Sequence, residues 1–153
     1  MPLQLKWKLL YISSFFLFLM FVGCMHTCDY QERYGIFRVK QSSTRSLTRA
    51  VITLENLRAN EEKQVTLDLS NVGIATIRVL SVEMQGKDNH LFRLDTAPQT
   101  PFELNATPVV LNLSISPKGP GTYTSSILIT SENALYPSYE IMIIATVVAK
   151  RQE

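Results

Sequence analysis

The chain is poor in the side chains from which catalytic and metal sites are built. Among its 153 residues are 2 histidines, 2 cysteines and 1 tryptophan. The histidines, His26 and His90, are far apart in sequence, and only His90 has a nearby acid, Asp88, in what reads as a solvated loop. One His near one Asp in a turn is not the paired acid and base that proton-transfer chemistry requires. No Gly-x-Ser-x-Gly elbow and no glycine-rich phosphate loop occurs. The cysteines, Cys24 and Cys28, both lie near the N-terminus. The rest of the chain therefore has no disulfide framework, and its stability must come from an apolar core. Cys24-x-His26-x-Cys28 supplies three ligands where a structural zinc takes four, so no metal and no cofactor are expected. A large charge excess is missing too, with 15 Lys and Arg against 13 Asp and Glu, which gives no reason to expect a nucleic-acid partner. Beyond the first two dozen residues, nothing shows the 3.6-residue apolar repeat of an amphipathic helix.

What is present begins at the N-terminus. Lys6 and Lys8 form a basic front, and Leu9 to Val22 then run without a charge. A basic front, a short apolar stretch and a small-residue exit describe a secretory leader. Phe21-Val22-Gly23-Cys24 resembles a bacterial lipobox, which implies cleavage before Cys24 and lipidation of its thiol. Residues 1–23 are read as this leader. The uncharged stretch from Leu9 to Cys28 also leaves open an uncleaved membrane anchor, although Ser13, Ser14, Gly23, His26 and Thr27 make it a weak span. Either reading puts the remainder outside the cytoplasm. A bacterial cell-envelope location follows. Met25, where an Asp would retain lipoproteins at the inner membrane in some bacteria, favours the outer membrane.

Without Lys6 and Lys8 the mature chain is formally neutral, yet Arg33, Arg38, Lys40, Arg45 and Arg49 follow one another with no acid between them. Residues 24–48 are read as a lipid-anchored basic tether, and these five cations as candidate membrane-surface contacts, each attracted to anionic headgroups by about 1 kcal/mol when close.

Residues 49–150 read as one folded domain of strands. Val65, Leu67 and Leu69 alternate with polar neighbours, as do Val109, Leu111, Leu113 and Ile115, and Tyr123, Ser125, Ile127 and Ile129 then alternate with Thr124, Ser126, Leu128 and Thr130. Ile77, Val79, Val82 and Met84 change phase near Leu80-Ser81, the mark of a bulge. Tyr139 to Val148 is β-branched and apolar enough for a central strand. About seven short strands with turns every 8–12 residues predict an all-β, immunoglobulin-like antiparallel β-sandwich. Tyr123, Tyr136 and Tyr139 are a candidate exposed aromatic patch.

The strands carry a resemblance. Val65 to Gly73, Ile77 to Val79, the Leu91–Leu94 strand, Ile115-Ser-Pro117, Gly121-Thr-Tyr123, Ile127 to Ser131 and Pro137-Ser-Tyr139 are similar to the ASPM–SPD-2–hydin group, whose bacterial relatives are the choice-of-anchor D domains. Glu132-Asn133 stands in place of that group's acidic pair. The resemblance covers residues 50–149. It implies an immunoglobulin-like sandwich used as a binding or spacer module, with no catalytic residues to transfer.

The expected function is that of a non-enzymatic, membrane-anchored envelope lipoprotein whose domain binds or spaces, with an envelope or extracellular protein as partner. Two alternatives stay open. One is a signal-anchored accessory that holds client chains at a strand edge in chaperone fashion. The other is a small hydrolase with its site at His90.

Overall fold

The structure is a computed structural model and describes residues 33–149. The expected leader, with Phe21, Val22, Gly23 and the lipidation candidate Cys24, lies outside these residues. Nine strands follow in order among the described residues: β1 (Phe37–Val39), β2 (Arg49–Arg58), β3 (Lys63–Asn71), β4 (Ile77–Gln85), β5 (Phe92–Thr96), β6 (Phe102–Leu104), β7 (Val109–Ile115), β8 (Gly121–Glu132) and β9 (Ser138–Val148). A 3₁₀ turn, Asn89–Leu91, precedes β5. The strands form a four-stranded sheet, β1-β3-β7-β5, and a five-stranded sheet, β2-β9-β8-β4-β6. The immunoglobulin-like β-sandwich expected from the alternation is the fold. Seven strands are those that the pattern predicts. The other two, β1 and β6, have three residues each, too few for a period of two to register.

Sequence pattern becomes packing most plainly in β3 and β9. In β3, Leu67, Leu69 and Asn71 point inward, while Thr66, Asp68 and Ser70 point outward. In β9, Tyr139, Ile141, Ile143, Ala145 and Val147 are buried on one face. Flanked by β2 and β8, β9 is the central strand that its composition predicts. The inward side chains of both sheets join one core in which Leu67, Leu111, Leu113, Ile127, Ile129, Ile141 and Ile143 are fully enclosed. Each contributes on the order of 2 kcal/mol relative to an exposed position. The predicted bulge in β4 lies between Val79 and Ser81, where the register against β8 slips by one residue. One pairing departs from the antiparallel pattern. β2 runs parallel to β9, from Arg49 beside Glu140 to Arg58 beside Val148.

The strand directions gather the connections at two ends. One end holds residues 33–36, 72–76, 105–108 and 133–137. The opposite end holds 59–62, 86–91 and 116–120. The first is knitted together by polar and backbone contacts. Gly35 bridges Ala134, with Gly35 N–H donating to Asn133 O at 2.9 Å and Leu135 N–H to Gly35 O at 2.8 Å. Asn71, buried at the end of β3, fills all its valences. Its Oδ1 accepts from Ile36 N at 3.0 Å and Gly73 N at 2.9 Å, and its Nδ2 donates to Ala75 O at 2.8 Å and Leu104 O at 3.3 Å.

The expected tether, residues 24–48, is corrected over its second half. Ile36, Phe37 and Val39 are buried, and β1 pairs with β3 through Phe37–Asn71 and Val39–Leu69. Phe37-Arg38-Val39-Lys40 is an alternating strand whose outward positions happen to be basic, so its charge masks its periodicity.

Candidate anion-binding groove

β1 is the terminal strand of its sheet, and the chain leaves it to cross toward β2 in the other sheet. The crossing segment, Gln41 to Thr48, is rich in Ser and Thr, whose hydroxyls take up backbone groups. Ser43 N–H and Oγ both donate to Val51 O, at 2.9 and 3.0 Å, and Ser42 Oγ accepts from Val51 N at 3.1 Å. Gln41 grips Asp68 at both ends of its amide, receiving Asp68 N–H at 2.9 Å and donating to Oδ2 at 3.2 Å. The segment is thereby fastened to β2 and β3.

Between it and β1 lies an open groove of about 620 Å³. Arg38, Lys40 and Arg45 line it, together with Leu47, Asp68 and Pro108. Tyr139 and Phe37 also border the groove, their rings stacked at 5.2 Å with 28° between planes. Burial pushes the Tyr139 phenol above its ordinary range, against the opposing pull of the Arg38 charge. The one acid on the groove wall, Asp68, sits 3.9 Å from Lys40 Nζ, a loose contact between solvated groups. Among the described residues, neither Arg38 nor Arg45 is within ion-pair distance of a carboxylate.

Three of the five expected surface cations thus converge. The other two do not join them. Arg49, at the start of β2, donates from Nε to Glu140 Oε2 at 2.7 Å, its cross-strand neighbour. Arg33 is exposed at the first described residue and does not line the groove. Composition alone gave no sign of the hydroxyl-lined wall or of Leu47, which become visible only once β1 is recognised as a strand.

The candidate aromatic patch is not formed. Tyr139 is buried, Tyr123 donates its hydroxyl to Gly119 O at 3.0 Å, and Tyr136 is exposed in the β8–β9 connection, at the end away from Gly119. His90 is exposed in the 3₁₀ turn, and Asp88 accepts from Thr124 N–H at 2.9 Å rather than from the imidazole. Among the described residues no group of three or more His, Cys, Asp or Glu is placed to hold a metal ion, and no helix is long and apolar enough to cross a membrane.

No family model and no curated protein matches this chain. Solved structures do. The secreted serine protease VesC from Vibrio cholerae matches over 82% of this chain at 10% identity and TM-score 0.54. A Porphyromonas gingivalis W83 protein of unknown function matches over 76% at 14% identity and TM-score 0.50. This chain spans 25% and 48% of those two chains. An ASH / PapD-like domain of human CEP192 matches over 78% of this chain and 89% of its own length, at 12% identity and TM-score 0.48. At such identities the likeness is one of fold.

Proposed function

We propose that this chain is a lipid-anchored lipoprotein of the bacterial cell envelope, with its immunoglobulin-like domain a non-catalytic binding module held at the membrane surface. The reading joins the Phe21-Val22-Gly23-Cys24 leader to the convergence of Arg38, Lys40 and Arg45 in one groove, which is the observation that carries it. Anionic headgroups are the ligand class that three cations beside a membrane would meet first. The ASPM–SPD-2–hydin resemblance of the strands agrees with a binding or spacer role, and the Met25 position favours the outer membrane. An envelope protein is the second expected partner.

A second reading has its own observation. β1 closes its sheet as a three-residue edge strand beside the groove, where an extended client segment could add a strand. Such a client would be acidic, to match the three cations.

The deciding measurement is the intact mass of membrane-extracted protein with its tryptophan emission. Loss of residues 1–23, added acyl mass and no emission are expected, because Trp7 is the only tryptophan. Full-length mass with emission retained makes the chain signal-anchored instead.

A further inference from the structure

The two ends of the sandwich differ in charge more sharply than its composition suggests. The connections 72–76, 105–108 and 133–137, all at the end where the described chain begins, contain no Asp, Glu, Lys or Arg. The opposite connections carry Glu61, Glu62, Lys87, Asp88 and Lys118, whereas at the first end the nearby charges, Arg78, Glu103 and Glu132, sit on strands. At this end, charge-free in its three connections although Arg33 stands beside them, the apolar side chains face outward. Ile74 is 72% exposed, and Tyr34, Val72 and Tyr136 are each about two-fifths exposed. They belong to one surface, because Gly73 lies against the Tyr34 carbonyl and the Ile36 amide, while Gly35 bridges Ala134.

From this arrangement we infer that the charge-free end rests on the lipid bilayer, with Ile74 and Val72 as its inserting tip and Tyr34 and Tyr136 at headgroup level. Three observations select lipid as the occupant. First, Arg33 opens the described chain at this end, and eight residues, 25–32, separate it from Cys24. That length spans at most about 30 Å fully extended. An anchor at Cys24 therefore keeps this end, and not the charged one, near the membrane. Second, apolar tips flanked by tyrosine rings suit the interface, where an aromatic ring is stable with its hydroxyl in water. Third, Val72 and Ile36 also line the groove, so the surface runs without a break from the tip to Arg38, Lys40 and Arg45. With the tip down, those cations stand at the level of the headgroup phosphates. The inference rests on the anchored reading and adds which end of the domain faces the membrane.

The test places a single tryptophan at either end of the full chain in a Trp7→Phe background. Ile74→Trp reports on the charge-free end and Lys118→Trp on the opposite one; both side chains are exposed, so neither change disturbs the core. The protein is reconstituted in phosphatidylcholine–phosphatidylglycerol vesicles with brominated acyl chains and isolated by flotation. The Ile74→Trp reporter is expected to be quenched at least about twofold more than the Lys118→Trp reporter, since an inserted side chain reaches the headgroup–acyl boundary. Protein that floats with equal or reversed quenching overturns the orientation and leaves the anchor standing. An Ile74→Trp reporter that is blue-shifted but unquenched also overturns it, because a second protein surface rather than lipid then covers this end. Failure to float overturns the anchor and the orientation together.

Discussion

Asn71 is the residue on which the charge-free end depends. Buried with four hydrogen bonds, it ties the start of β1, the β3–β4 connection and the end of β6 to one side chain. Asn71→Ala leaves two backbone donors and two carbonyls without their partner. Unmade buried hydrogen bonds of this kind predict a loss of about 3 kcal/mol in urea denaturation. A loss under about 1 kcal/mol would mean that water replaces the amide. Asp95 makes a smaller, pH-dependent contribution. Ser114 donates to its carboxylate and Arg93 approaches it at 2.5 Å, and these contacts hold it below the usual carboxylate range, with the Ser114 bond the larger cause. A lowered folded pKa gives stability above the ordinary carboxylate range and loses it as pH falls through the depressed value. Asp95→Asn should therefore melt below the parent at neutral pH, and the two melting curves should converge in strong acid. A gap that widens on acidification would contradict the assignment. In the sequence Asn71 reads only as part of an Asn-Val-Gly turn. Just the Gly73 bond, 2 positions away, is local to that turn, while the Ile36 and Leu104 partners lie 35 and 33 positions away, where no local pattern encodes them.

At the scale of elements, β1 decides where the domain starts. A boundary at residue 49 would discard Phe37, which is buried and stacked on Tyr139, and would expose the β3 edge. Phe37→Ala is expected to cost about 3–4 kcal/mol, as for other core aromatics. A chain that begins at residue 49 should show no cooperative thermal transition by circular dichroism. Normal melting of that shortened chain would restore the tether reading. Longer elements were legible because alternation accumulates. β3 and β8 each bury every second residue over their inner stretch, β7 buries Leu111, Leu113 and Ile115 with Ser114 added, and the β4 phase change marked its bulge. The parallel neighbour of β2 was not legible. Pairing direction depends on which strands meet in space, and β2 alternates in the same way whichever way β9 runs beside it.

For the whole molecule, what matters is where charge is placed rather than how much there is. A chain with 15 basic against 13 acidic residues presents three cations in one groove and none of the four formally charged residue types in three adjoining connections. With about 1 kcal/mol per basic side chain near an anionic surface, reversing Arg38, Lys40 and Arg45 to Glu should weaken binding to phosphatidylglycerol vesicles by on the order of a hundredfold or more. The comparison is made by cosedimentation of the domain freed of residues 1–32, where added salt should weaken the parent in the same direction. Unchanged binding by the triple variant would move the groove from lipid toward the acidic client of the second reading. The sequence showed the cations as a run. Their convergence, and the bare end beside them, required the fold.

The parallel seam between β2 and β9 sets a timetable. The first long strand has no sheet neighbour other than the last, so Ala50, Ile52 and Leu57 lack their hydrogen-bonded partner until β9 has been made. A ribosome releasing this chain therefore emits nearly all of it before the sandwich can close. On the proposed envelope reading, that delay would leave the chain passable through a membrane pore, with closure on the far side. Nascent chains arrested before residue 138 should remain protease-sensitive, and chains extended past Val148 and clear of the ribosome should become resistant. Resistance in the shorter chains would show that closure does not wait for the seam.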